Sequence, residues 1–339
     1  MVSFTTSLTA LVLAAAACAR PTPVTLKPRQ AAAPGDANMD VLVAKFALTL
    51  EELESAFYRE AISKNSQPLS NNLLRRAKTV QTRSLNDKQI ALMEKIFQTE
   101  DAHATALQQA LSAAGGPVLR PCKYKFDTSS AATILQTATL LEEVGQAAYQ
   151  GAAPLLQDKA LLAKAASILT VEAQHSTVLR VLGGRDPVPR AFTNSLNPPE
   201  VSTLIEGFIE SCEDASNPLK LVPPNPQLQL QPSAGPPPNG NNNPLNQAGV
   251  QAATFLRFAI ASGGEAAVAR QATGAALPSI NEAKFCVFPG GSPDQTRFVD
   301  YSEPQGCQRP DDLVLPGLVM LARERDVGTV IAGPVPILN

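Results

Sequence analysis

The chain contains only two histidines, and both lie in the same short motif. His103 follows Glu100 by three residues, and His175 follows Glu172 by three residues. Residues three positions apart lie on one face of a helix, so each carboxylate and imidazole can reach a common ion. Carboxylates and imidazoles are ligands of transition metals such as iron and manganese. The two motifs therefore indicate metal chemistry.

A second spacing also occurs twice and alternates with the first. Glu51 precedes Tyr58 by seven residues, and Glu142 precedes Tyr149 by seven. Because seven residues make nearly two helical turns, each tyrosine lies on the same side of its helix as the glutamate. The order Glu-x6-Tyr, Glu-x-x-His, Glu-x6-Tyr, Glu-x-x-His predicts an internal repeat of a helix pair.

The glutamates of these motifs fall on apolar helix faces. Glu100, for example, shares its face with Met93, Ile96 and Leu107. Buried carboxylates without partners are costly, but four of them balance the charge of two divalent ions, and two neutral imidazoles complete the coordination. A single Glu-x-x-His is more often a hydrogen-bonded or solvated pair, so the prediction depends on the alternation. The predicted metal ligands are Glu51, Glu100, His103, Glu142, Glu172 and His175.

Two neighbouring acids leave alternatives open. Glu143 points about 100° away from Glu142, and the spacing to Tyr149 favours Glu142 as the ligand. Glu54 lies one turn after Glu51 on a nearby face. Glu54 is therefore an alternative ligand or a residue just outside the coordination sphere.

Helical periodicity extends through the first two thirds of the chain and predicts a mainly α fold. A four-helix bundle with a short fifth helix is expected to occupy residues 39–215. The prolines Pro198 and Pro199 followed by Glu200 are typical of the start of the fifth helix. The predicted helices are about 39–64, 86–113, 129–156, 158–182 and 200–212.

The remainder of the chain has a different composition. Residues 216–249 are rich in Pro, Asn and Gln, and no charged residue occurs from Leu221 to Gly249, which predicts a disordered linker. Short apolar runs around a turn at 326–328 predict a small β-rich unit over residues 250–339.

The N-terminus indicates secretion. The apolar run from Leu8 to Ala17 is too short for a membrane span of about 20 residues, and small residues follow it. This pattern predicts a signal peptide over residues 1–19, followed by an extended leader over residues 20–38. No later stretch is long and apolar enough to predict a membrane span, so an extracellular location is expected.

Removal of the signal peptide leaves four cysteines, and an even number in an oxidising compartment predicts two disulfides. Three pairings are formally open. Cys122 lies between helices two and three and Cys212 at the end of the fifth helix, so that pair would clamp the bundle. Cys286 and Cys307 enclose a loop of the C-terminal unit and would form the other bridge.

The charge balance excludes some partners. The 339 residues include 28 Lys and Arg and 30 Asp and Glu, with no Trp. A nearly neutral chain has no electrostatic attraction to nucleic acid or to an anionic membrane surface, and neither is expected as a partner.

The segment Phe46–Tyr58, together with the alternating motifs, resembles the first helix of the secreted fungal ferritin-like proteins, also called stress-response or desiccation-related proteins. The segment Thr329–Pro334 resembles their C-terminus. The resemblance implies the ferritin-like four-helix fold, in which two helices each give a Glu and two give Glu-x-x-His. It implies the same six ligands.

The same resemblance implies the chemistry of the site. Two iron ions, or manganese, would be bridged by Glu100 and Glu142. Tyr58 and Tyr149 would serve in catalysis, as hydrogen-bond donors to carboxylates on facing helices or as electron-transfer residues. Oxygen or peroxide would be the reactant, with a small-molecule substrate that the sequence does not specify.

Two functions follow as expectations. The first is a secreted di-metal oxidoreductase or a protein that protects against oxidative or desiccation stress. The alternative is a non-enzymatic structural, stress-associated or spore-associated ferritin-like protein, in which the metal is structural or absent. A cell-wall or host-interaction protein would require a binding surface that the sequence does not reveal.

Overall fold

The computed structural model describes residues 39–65, 85–113, 118–214, 216–231, 255–261, 276–290 and 295–337. The predicted signal peptide (1–19) and leader (20–38) lie outside the described residues. The described part contains a helical unit followed by a β unit, as the sequence predicts.

Four long helices form the helical unit, within a few residues of the predicted bounds. Ser130 begins the third helix by accepting a hydrogen bond from the backbone N–H of Thr133, and Asp158 begins the fourth by accepting two. The third helix ends earlier than predicted and continues as a single 3-10 turn that contains Pro154. The helices are α1 (Met39–Asn65), α2 (Asp87–Ala113), α3 (Ala131–Ala152) and α4 (Lys159–Leu182).

Contacts between side chains fix the directions of the helices. Tyr58 of α1 contacts Glu142 of α3, whereas Tyr149 of α3 contacts Glu51 of α1. A later residue of one helix thus meets an earlier residue of the other, so α1 and α3 run antiparallel. The helix pairs α1–α2 and α3–α4 are therefore related by an approximate twofold axis, as expected from the repeat.

The fifth helix is shorter than predicted. Helix α5 (Pro198–Ile205) begins with a capping box in which Asn197 and Glu200 bond each other's backbone N–H groups. The predicted end at residue 212 is wrong, because a 3-10 turn follows and residues 209–211 form a strand. Strand β2 (Ile209–Ser211) pairs with β1 (Lys123–Tyr124), directly beside the disulfide between Cys122 and Cys212.

The β unit contains two sheets that share one core. The three-stranded sheet has the order β3-β4-β7 and the four-stranded sheet the order β6-β5-β8-β9. A disulfide between Cys286 of β5 and Cys307 of β7 joins the two sheets, so both predicted disulfides are present. The strands are β3 (Leu228–Gln231), β4 (Phe255–Ile260), β5 (Phe285–Phe288), β6 (Arg297–Asp300), β7 (Cys307–Gln308), β8 (Gly317–Ala322) and β9 (Val330–Ile337).

The first part of the predicted linker belongs to this β unit. Strand β3 pairs with β4, and Asn225 donates a hydrogen bond to the carbonyl oxygen of Gly333. Gly333 has a positive φ of 90°, a conformation that favours glycine, and donates its own N–H to Pro226. The part of the predicted linker after Gln231, residues 232–249, lies outside the described residues.

The β unit also contacts the bundle directly. Arg180 of α4 donates a hydrogen bond to the carbonyl oxygen of Leu315, and Leu318 of β8 packs into the core of the bundle. The described linker segment contributes Leu219 and Val222 to the same core. The helices in the described part of the chain are too short or too polar to cross a membrane.

Candidate metal centre

The six predicted ligands converge in one cluster inside the bundle. In each of two groups of four residues, one potential ligand atom per residue lies within 4.8 Å of the others. This overlap suits two neighbouring ions that share carboxylates. The first group is Glu51, Glu100, His103 and Glu172, and the second is Glu100, Glu142, Glu172 and His175.

The electrostatics of the cluster fit a bound cation. Glu100 and Glu172 are fully buried, with 0% of their surface exposed. Within the described part of the chain, both carboxylate oxygens of Glu172 have no hydrogen-bond partner, and Oε1 of Glu100 lies 2.6 Å from Nδ1 of His175. Buried oxygens without donors cost free energy, which positive ions between them would offset. The donor set of carboxylates and imidazoles suits iron or manganese.

The two shared carboxylates differ from the pair implied by the resemblance. That resemblance gave Glu100 and Glu142 as bridging residues, but Glu142 belongs to only one group, and Glu172 is shared instead. The reason is geometric. Nδ1 of His175 lies 2.6 Å from Oε1 of Glu100, and Nδ1 of His103 lies 3.5 Å from Oε1 of Glu172. Nδ1 of His103 also lies 3.1 Å from Oε2 of Glu100, so Glu100 contacts both imidazoles and Glu172 lies near His103.

A threonine that the sequence analysis missed orients one imidazole. Oγ1 of Thr99 donates to the carbonyl oxygen of Ile96 at 2.6 Å and lies 2.8 Å from Nε2 of His175. Because the single hydroxyl proton is used on Ile96, the oxygen accepts from Nε2–H of His175. This leaves Nδ1 of His175 without a proton when the ring is neutral, ready to bind a metal.

Both tyrosines contact the outer glutamates of the cluster, each on the facing helix. Tyr58 donates to Oε1 of Glu142 and Tyr149 donates to Oε1 of Glu51, both at 2.5 Å. Burial, together with the nearby carboxylates, raises the pKa of both phenols well above the usual value. Both tyrosines thus keep their protons, and each fixes the orientation of one carboxylate.

Glu54, the residue that the sequence left as an alternative ligand, is a fifth buried carboxylate at the cluster. Only 2% of its surface is exposed. A Cβ atom built on Gly145 would lie 2.8 Å from Oε1 of Glu54 and 2.9 Å from Oε2 of Glu172. Gly145 follows Glu142 by three residues, as Glu54 follows Glu51. The two motifs therefore differ at this position: the first has the carboxylate of Glu54, and the second has Gly145, whose missing side chain leaves space for that carboxylate.

Burial favours the protonated form of most carboxylates of this cluster in the metal-free protein. Burial raises the pKa of Glu51 to about 8. Burial and the neighbouring carboxylates also raise the pKa of Glu142, and they raise the pKa values of Glu54 and Glu172 well above the usual value. Glu100 is the exception. Its burial alone would raise its pKa, but the two imidazoles outweigh burial and lower it to about 2.

The imidazoles are also protonated. Burial disfavours their charged form, but the surrounding carboxylates dominate and raise the pKa of His103 to about 12 and of His175 to about 10. The metal-free cluster therefore balances its own charge with protons, which a metal must displace.

Metal affinity should rise with pH as a result. The raised pKa values keep protons on the ligands at neutral pH. Lowering the pH therefore weakens metal binding, because more protons compete with the metal ion for the ligand atoms. We expect the affinity for Mn²⁺ to increase about tenfold or more per pH unit between about pH 6 and about pH 9, because each ion displaces at least one proton. Titration calorimetry in buffers of different ionisation enthalpy would count those protons. Binding with no proton release would contradict this description.

The space at Gly145 should be essential to the cluster. A methyl group there would push the carboxylates of Glu54 and Glu172, so we expect Gly145→Ala to weaken metal binding about 10- to 100-fold. The matched control is Gly207→Ala, because a Cβ at Gly207 meets no atom within 4 Å in the described part of the chain. Equal metal affinity in both variants, measured by competition with a chelator, would show that the cluster does not need this space.

Comparison with known families agrees with the fold. Residues 39–185 match the family model of the ferritin-like domain. The match includes all four long helices and all six clustered residues, and it ends before the β unit. The match supports a ferritin-like fold for the helical unit. The comparison with curated proteins finds no match.

Proposed function

We propose that the helical unit binds two iron or manganese ions and uses them in oxidation chemistry with oxygen or peroxide. The observation that carries the proposal is the pair of ligand groups, each with one imidazole, that share Glu100 and Glu172. Ions held by carboxylates with one histidine each supply redox chemistry when bound, in the manner of other carboxylate bundles.

Access to the cluster favours a reactive role over a structural one. A structural metal site is closed, whereas a catalytic site leaves a position that a reactant can reach. The side chains of His103 and His175 are 12% and 8% exposed, while the glutamates beside them are fully buried. A small oxidant would therefore approach along the imidazole side of the cluster.

The roles proposed for the protein's own residues follow from their contacts. Glu51, Glu142 and the two histidines would each hold one ion, and Glu100 and Glu172, which belong to both ligand groups, would hold either. Tyr58 and Tyr149 hold the outer carboxylates in place by donating a hydrogen bond to each. Their burial keeps water away from these two carboxylates.

We further propose that the protein works outside the cell, in protection against oxidative or desiccation stress. The two disulfides support an oxidising compartment. The reactants are oxygen or peroxide with a small-molecule substrate, and neither nucleic acid nor a membrane is a partner. The competing proposal is a non-enzymatic structural, stress-associated or spore-associated protein in which the metal is structural or absent.

The decisive experiment uses the full secreted chain. The protein is loaded anaerobically with Fe²⁺, mixed with oxygen or hydrogen peroxide, and followed by oxidant consumption and iron absorbance. The proposal expects rapid consumption in proportion to bound iron, and its loss in Glu100→Gln. If iron binds fully but consumes neither oxidant faster than Fe²⁺ in buffer, the non-enzymatic proposal is favoured. Repeating the test with Mn²⁺ distinguishes the two metals.

A further inference from the structure

A cavity of about 240 Å³ opens beside α3 and α4. Among the residues that line it are Glu143, Ser176, Arg180 and Arg190, and we call it the arginine pocket. The segment 187–193, which follows α4, covers it. The metal centre does not use any of these four side chains.

The arginine pocket has an excess of positive charge. Arg180 and Arg190 both pair with one carboxylate, Glu143, the latter at 2.6 Å. Two cations and one anion therefore line the arginine pocket.

Unused hydrogen-bonding capacity also points into this region. Ser176 lines the arginine pocket with only 5% of its surface exposed, and its hydroxyl has no hydrogen-bond partner within the described part of the chain. Buried donors without partners are rare in native proteins, since each costs free energy that a ligand oxygen would recover.

The remaining wall combines an apolar stretch with the polar side chains of Gln146, Thr177 and Thr193. Pro187, Val188 and Pro189 line the outer side, and Ala173 lies on the wall formed by α4. Such a pocket suits a ligand with a charged group at one end and a compact apolar body at the other. Arginine favours a planar carboxylate because its guanidinium can donate two parallel hydrogen bonds.

We propose that the arginine pocket binds a small organic carboxylate with a compact apolar body. The carboxylate pairs with Arg190 and accepts a hydrogen bond from Ser176, and the body lies against Pro187 and Val188. The binding does not depend on the metal chemistry. Because Ser176 follows His175 directly, a bound ligand lies against the same helix that carries ligands of the metal centre.

The test is calorimetric titration of the full chain with benzoate as the probe. We expect Arg190→Gln to weaken benzoate binding about tenfold or more and Ser176→Ala to weaken it by a smaller factor. The matched control is Arg325→Gln, which removes an exposed arginine that also pairs with one carboxylate, Asp300, and should leave binding unchanged. Circular dichroism confirms that each variant is folded.

Two further probes define the ligand class. Benzyl alcohol has the same ring without the charge, and inorganic phosphate has charge without the ring. Benzoate should bind tighter than both. Equal binding of benzyl alcohol, tighter binding of phosphate, or benzoate binding that neither Arg190→Gln nor Ser176→Ala affects would each overturn the proposal. Absence of any heat with benzoate at millimolar concentration would also overturn it.

Discussion

Glu100→Gln should lose both metal ions, whereas His103→Ala should lose only one. Glu100 belongs to both ligand groups, so its substitution removes a ligand from each ion at once. His103 belongs to one group, and the group around His175 stays complete without it. The metal content should therefore fall from two ions per chain towards zero in the first variant and towards one in the second.

Loss of metal in Glu100→Gln must be separated from unfolding. Glutamine keeps the shape of the side chain but removes the negative charge that faces two protonated imidazoles in the metal-free protein, so circular dichroism of the variant is recorded beside its metal content. The matched control is Glu94→Gln on the exposed side of α2, which should retain both ions. Metal content is measured by elemental analysis after gel filtration. Two ions retained by Glu100→Gln would contradict a shared role for this residue.

Loss of the disulfide between Cys122 and Cys212 should have the largest effect on stability. The two cysteines are 90 residues apart, whereas Cys286 and Cys307 are 21 apart. A crosslink that closes a longer loop restricts the unfolded chain more, so we expect Cys122→Ala with Cys212→Ala to lower the free energy of unfolding by about 4–5 kcal/mol. The shorter loop predicts about 3 kcal/mol for Cys286→Ala with Cys307→Ala.

The comparison of the two double variants is more informative than either value. Denaturant titration of the metal-free proteins measures both on one scale. The bridge at Cys122 also fixes the end of β2 beside β1, and both strands lie in loops that enclose the bundle. A larger loss on removal of the bridge at Cys286 would show that the β unit, and not the bundle, limits the stability of the chain.

The sequence predicted the helices and the cluster because both depend on short-range patterns. Glu-x-x-His fixes two side chains on one helix face. Because the motifs repeat, both helix pairs are expected to present their ligand residues in the same arrangement. Glu51 and Glu142 were then found through their spacing to Tyr58 and Tyr149. The side-chain contacts confirm the facing arrangement of those tyrosines.

Features that depend on contacts between distant segments were not predictable in the same way. The identity of the shared carboxylates follows from which imidazole faces which glutamate, and spacing along the chain does not contain that information. Thr99 acts through a contact with His175 on another helix. The role of Gly145 could have been found, because aligning the repeats at Glu51 and Glu142 sets it opposite Glu54.

The short fifth helix and the linker differ from expectation for a similar reason. Composition alone favoured a helix up to residue 212 and an unpaired segment after it. Instead, β2 pairs with β1 and β3 pairs with β4, because backbone hydrogen bonds and buried leucines stabilise these short strands. Pairing between residues far apart in sequence is a property of the folded chain.

Anomalous X-ray diffraction from crystals of the iron-loaded full chain, collected at the iron absorption edge, tests the central claim most directly. The account predicts two peaks about 3.5–4 Å apart, both in contact with Glu100 and Glu172, with His103 beside one and His175 beside the other. A single peak, or peaks only at surface carboxylates with the cluster empty, would contradict a two-metal centre in this protein.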